Sequence, residues 1–73
     1  MTSEPMEQGS IDLGEAARQL ELAVHDAQVA YDCLGLGNVD RAHTYAITAR
    51  AAVDAAENVL RAALNANASA LNE

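Results

Sequence analysis

Between two long stretches of regularly spaced apolar residues the chain has one break, Leu34-Gly35-Leu36-Gly37-Asn38, and that break dictates a hairpin. Glycine gives up more backbone freedom than any other residue when fixed and readily takes the left-handed conformation that ends a helical turn. Gly35, directly after Leu34, is expected to be that left-handed residue, with Leu36 folding back on the last turn and Gly37 as a second pivot. Asn38 suits the N-cap of a second helix. The connection is then only about three or four residues long, as between antiparallel neighbours in helical bundles.

Upstream of the break, Asp12 followed by Glu15 fits a capping box, the Asp12 side chain accepting the backbone N–H three residues on and Glu15 reaching back to the Asp12 N–H. From there Leu13, Ala17, Leu20, Val24, Ala27, Tyr31 and Leu34 recur at steps of four and three without interruption. At 100° per residue they form one stripe, widened on one side by Ala16, Ala23 and Ala30. Arg18, Glu21, His25, Gln28 and Asp32 occupy the opposite, solvated flank.

Downstream, the same spacing runs through Ala42, Ala46, Ala49, Val53, Ala56, Leu60 and Ala63. Alanines at these positions let two helix axes approach towards the lower end of the roughly 8 to 10 Å range for packed helices. These two stripes are expected to face each other inside the hairpin. Arg50 with Asp54 and Glu57 with Arg61 sit four apart and predict exposed ion pairs. The organisation expected is a flexible tail over residues 1–10 and a helical hairpin over 11–66. Within it, helix 1 spans about 12–34, the turn 35–38 and helix 2 about 39–66. Asn65, Asn67 and Ser69 compete for backbone hydrogen bonds, so a frayed end is expected over 67–73.

Composition agrees with an all-α chain: there are 17 alanines, no Phe or Trp, and a single Pro. A hairpin of 73 residues hides little surface, so further burial by self-association is expected. Four Arg and no Lys against 11 acidic residues give a net charge of -7, which repels phosphate backbones and anionic lipid and argues against direct nucleic-acid or membrane binding. A single Cys33 can form no internal disulfide, and no stretch has the length and apolarity of a secretion signal or a membrane span. A cytoplasmic location is the default.

With the first stripes docked, helix 2 keeps a second apolar line, Tyr45, Ala52, Val59 and Ala66, and helix 1 keeps Leu22, Val29 and Cys33. The former is the expected self-interface of a homodimer, two hairpins closing into an antiparallel four-helix bundle. The latter is the expected contact for another protein, with isolated surface apolars as the bland alternative. The architecture resembles the plasmid copy-control four-helix dimers, although the basic groove that those use for RNA has no counterpart in this sequence. The function expected is therefore non-enzymatic: a small acidic homodimeric adapter or regulator that buries an apolar helix face against protein.

No catalytic, metal or cofactor constellation emerges. Glu21 with His25 and Asp40 with His43 have metal-compatible spacing, but they fall on polar faces without the inward carboxylates that di-iron bundles use. Arg18 and His25 resemble the Arg-x6-His pair of the HEPN ribonucleases through two residues only. Gly37 to Ala42, with Ala46 and Ala49, is similar to the turn and second helix of one tetratricopeptide repeat, yet about three copies are needed to bury a continuous core. Gly35 and Gly37 lack the strand and glycine pattern of a phosphate loop. A different class of function is an acidic inhibitor imitating nucleic acid, of the kind phages and plasmids deploy, with Glu21, Asp26, Asp32, Asp54 and Glu57 in place of phosphates.

Overall fold

A computed structural model describes the backbone of residues 11–72 and the side-chain surroundings of residues 11–67. The expected tail over 1–10 lies outside the described residues. Two helices pack against each other: α1, Leu13–Gly35, and α2, Val39–Asn72. Among the described residues there is no strand, and no helix is long and apolar enough to cross a membrane.

Each helix begins where a short polar side chain can satisfy a free N–H. Asp12 Oδ1 accepts from the Glu15 N–H at 3.1 Å, which is half of the expected capping box. The other half does not form, because the Glu15 carboxylate is taken by Arg18 Nη2 and Gln19 Nε2, each donating at 2.8 Å. At the start of α2, Asn38 Oδ1 accepts from the Arg41 N–H at 3.1 Å.

The turn is tighter than expected by one assignment. Gly35 is the last helical residue of α1, and the left-handed residue is Gly37, with φ of 78°. Gly37 N–H donates to the Leu34 carbonyl at 3.0 Å and Asn38 N–H to the Cys33 carbonyl at 2.8 Å, the paired bonds of a Schellman closure. Asn38 therefore ends one helix with its N–H and starts the next with its side chain. Helix α2 also continues through residues 67–72, where fraying was expected.

The packing rotates the expected faces: the expected Ala16, Ala23, Ala30, Ala42, Ala49, Ala56 and Ala63 lie in the seam, but the larger residues of both expected stripes do not. Helix α1 buries Ala16, Ala23, Asp26 and Cys33, with Gln19, Val29 and Ala30 half-buried, while Leu13, Leu20, Val24, Tyr31 and Leu34 stand exposed. Helix α2 buries Ala42, Ala52 and Ala56, with Tyr45, Ala49, Val59 and Ala63 half-buried; Ala46, Val53 and Leu60 are exposed. Both seams keep strict three-four spacing, and alanine recurs every seventh residue as Ala16, Ala23, Ala30 on α1 and Ala42, Ala49, Ala56, Ala63 on α2. The physical reason lies in coverage. A lone pair of helices can enclose a methyl group, as at Ala56 with 0% exposure, but leaves a larger side chain open on its flank. Small residues thus close the hairpin, and the large ones are displaced by about 100° onto one side of it.

Helix α2 is 34 residues long against 23 for α1. At about 1.5 Å per residue, α2 runs roughly 16 Å past the start of its neighbour. Leu64, at the beginning of that overhang, is exposed.

Candidate interaction surface

The displaced side chains converge on one face. A groove near the turn is walled by Tyr31 and Leu34 from α1 and by Val39 and His43 from α2, and is floored by Ala27, Ala30, Ala42, Ala46 and Ala49. Residues from both helices share this groove, so the α1 stripe and the α2 line Val39, Ala46, Val53, Leu60 lie side by side on the same surface. Val24 is 71% exposed and Tyr31 73% exposed, large apolar areas left in water. Towards the open end the alanine floor gives way to Leu20, Val53 and Leu60, each around two-fifths exposed.

Charge is kept to the rim. Beside α2 the rim carries His43, Arg50 and the Glu57 and Arg61 pair, whose oxygen and nitrogen are 2.7 Å apart. That bond holds the Glu57 carboxyl below its ordinary range. The other expected pair, Arg50 with Asp54, is absent from the ion pairs of the described residues. The order explains the difference: the acidic partner is N-terminal in the pair that forms and C-terminal in the one that does not. On α1, hydrogen bonds from Gln19 and then Arg18 lower the Glu15 pKa.

The residues singled out by spacing fall mostly elsewhere. Tyr45, Ala52 and Val59, expected at a self-interface, line the seam between α1 and α2, and only Ala66 is exposed. Tyr45 packs under its own helix's Arg41, whose guanidinium carbon is 5.7 Å from the ring centroid. Of the expected partner contact, Cys33 is buried as a free thiol, Val29 is half-buried and Leu22 remains exposed, on the side of α1 away from the groove. The physical reason is the rotation described above: on α2 the seam takes Tyr45, Ala52 and Val59 together with the alanines of the expected stripe, Ala42, Ala49, Ala56 and Ala63. The surface that spacing assigned to the interior, Leu20, Val24, Tyr31 and Leu34 with Val53 and Leu60, is the one in solvent.

His25 Nδ1 lies 3.0 Å from the buried carboxylate of the adjacent Asp26, with the ring in solvent. Arg18 is held by Glu15 at 2.8 Å and Asp12 at 3.4 Å, so it is drawn away from His25 and towards the helix start. Among the described residues no three His, Cys, Asp or Glu side chains converge on a point where a metal could sit. Burial of Asp26 and engagement of Glu57 also remove two of the five carboxylates expected to imitate phosphates. Compared with protein-family models, with curated proteins and with solved structures, the chain matches none.

Proposed function

We propose that this chain is a non-enzymatic protein-interaction module, a small acidic helical adapter or regulator that works as a homodimer through the apolar face of Leu20, Val24, Tyr31, Leu34, Val39, Val53 and Leu60. One observation carries the reading: the buried residues of the hairpin's seam are mostly alanine, while Leu20, Val24, Tyr31, Leu34, Val53 and Leu60 are left outside. Leaving Val24 and Tyr31 in water is unfavourable by roughly 1.5 kcal/mol or more for each side chain that a partner would cover. Two such faces brought together form an antiparallel four-helix bundle, the common solution for hairpins with a second apolar stripe. Leu22, on the opposite side, stays outward in the dimer and is the remaining contact for another protein. A reducing, cytoplasmic setting suits the free thiol of Cys33.

Sedimentation equilibrium on the wild type and on Val24→Glu tests this. The wild type is expected at twice the chain mass, insensitive to added salt because the contact is apolar, and Val24→Glu at the single-chain mass with its helical circular dichroism retained. A wild type that stays monomeric at tens of micromolar and still melts cooperatively would overturn it. Affinity for a basic protein that collapses with rising salt would favour imitation of nucleic acid instead.

A further inference from the structure

The carboxylate of Asp26 lies in the seam and is bonded to the ring of the preceding residue, and we propose that this pair makes His25 a phosphoryl acceptor. The proposal goes beyond the self-association reading and does not depend on it.

Asp26 is 7% exposed, and every other buried residue among those described is an alanine or Cys33. Taking a carboxylate out of water without a cation in the seam to pair it disfavours the hairpin. Its side-chain hydrogen bond goes to His25, with Nδ1 3.0 Å from Oδ1. A residue that opposes folding and makes one directed bond points to a task other than folding.

That bond fixes the state of the imidazole. A carboxylate can only accept, so Nδ1 carries the hydrogen and, in the neutral ring, Nε2 holds the free lone pair. The His25 side chain is 68% exposed and that of Asp26 is 9% exposed, so the anchored nitrogen is turned to the hairpin and the free one to solvent. His25 thus presents an oriented nucleophile on an open surface. A general base would need a cleft holding a substrate against it, and a metal would need further ligands, whereas among the described residues no three ligating side chains converge. Accepting a group carried in by another molecule needs neither.

In the transfer, the Nε2 lone pair attacks the phosphorus of an activated donor, either an acyl phosphate or a phosphoramidate protonated on its leaving nitrogen. The Nε2–P bond forms, the donor's P–O or P–N bond breaks, and its electron pair departs with the carboxylate or with ammonia. Nδ1 keeps its hydrogen, and the ring becomes positively charged. The Asp26 carboxylate, already in place and shielded from water, is the counter-charge to that cation. His25 is the nucleophile and Asp26 its positioning residue.

Leu22, three residues before His25, is its neighbour on the helix surface. Leu22 is the contact that stays outward in the dimer, so a phosphoryl group on His25 would set a strong negative charge beside it and turn an apolar contact into an anionic one. Glu21, four residues before His25, is acidic as well and slows small anionic donors, which makes zwitterionic phosphoramidate the suitable probe.

Wild type and Asp26→Asn are incubated with potassium phosphoramidate at neutral pH, and mass spectrometry with phosphorus NMR reads the site. Nitrogen NMR of the wild-type rings is expected to show the His25 hydrogen on Nδ1, and the phosphoryl group is expected on Nε2 of His25. Asp26→Asn keeps an oxygen for the Nδ1 bond but removes the counter-charge, so labelling of His25 should slow about tenfold. Labelling of His43, on the groove wall, should stay unchanged. Helical circular dichroism establishes that the variant folds; should it not, wild type unfolded in urea becomes the slower reference. Equal His25 rates in the folded protein and its reference, labelling confined to His43, or a hydrogen on Nε2 of His25 would each overturn the proposal. None of these readings turns on the mass of the assembly, so self-association stands or falls separately.

Discussion

The backbone N–H of Asn38 donates to the carbonyl of Cys33 at 2.8 Å, so the residue that caps α2 also closes α1. This bond requires Gly37 between them at φ of 78°, a region that costs an L side chain about 1 kcal/mol or more. Gly35, two residues earlier, is helical, and a Cβ built on it meets nothing within 4 Å. The two glycines should therefore respond in opposite directions. Gly37→Ala is expected to destabilise the hairpin by about 1 kcal/mol, and Gly35→Ala to stabilise it by about 0.5 to 1 kcal/mol through lost freedom in the unfolded chain. Urea unfolding followed by circular dichroism checks both; equal shifts of one sign would mean that the left-handed residue is not Gly37.

The seam tolerates no added volume. Ala56 is fully buried at a position where alanine recurs every seventh residue, so its methyl group sets how closely the axes approach. Ala56→Leu should cost about 1 to 3 kcal/mol by forcing the helices apart. Ala51→Leu, one position outside the seam and exposed, should change stability by less than about 0.5 kcal/mol. Thermal melts of the two variants give the comparison, and equal melting temperatures would contradict the close packing.

Asp26 breaks the run of small apolar residues along α1, with its carboxylate buried and its one side-chain hydrogen bond going to a solvent-exposed imidazole. Removing the carboxylate leaves His25 free to bond water, so no partner is stranded. Asp26→Ala should accordingly raise stability by about 0.5 to 1 kcal/mol, since alanine is the better helix former and no longer asks a charge to leave water. A lower urea midpoint in Asp26→Ala would show that the carboxylate fulfils a need elsewhere.

How far the sequence discloses this fold depends on the range over which each feature is settled. Asp12 and Asn38 announce the helix starts because a cap is satisfied within three residues. The antiparallel hairpin is equally plain, since a short glycine turn leaves no other choice. Which stripe faces inward is a tertiary question, and periodicity is silent on it: Ala16, Ala23 and Ala30 keep the same seven-residue spacing as Leu13, Leu20, Ala27 and Leu34. The signal that decides is size. Alanine at every seventh residue on both helices marks the seam, and treating the larger side chains as the hairpin's interior rotates the faces away from it. Asp26 in the seam conceals this pattern further, because a carboxylate reads as solvated.

The paired carboxylates set the last expectation. Glu15 is lowered below its ordinary pKa by Gln19 and Arg18, and Glu57 by Arg61. A carboxyl whose folded pKa lies below its unfolded value stabilises the fold above the unfolded pKa, and that contribution disappears as pH falls through the folded pKa. With unfolded glutamate near 4.3, the loss begins at about that pH and is complete below the folded values. Acid also relieves the self-repulsion of a chain with net charge -7, so the melting temperature of the wild type alone mixes two opposing effects. The difference between wild type and Glu15→Gln isolates the first. It should favour the wild type at pH 6 and shrink towards zero by about pH 3, and adding salt at pH 6 should narrow it, because both partners of the ion pair are solvent-exposed. A difference that stays constant from pH 6 to pH 3 would place the role of Glu15 in packing.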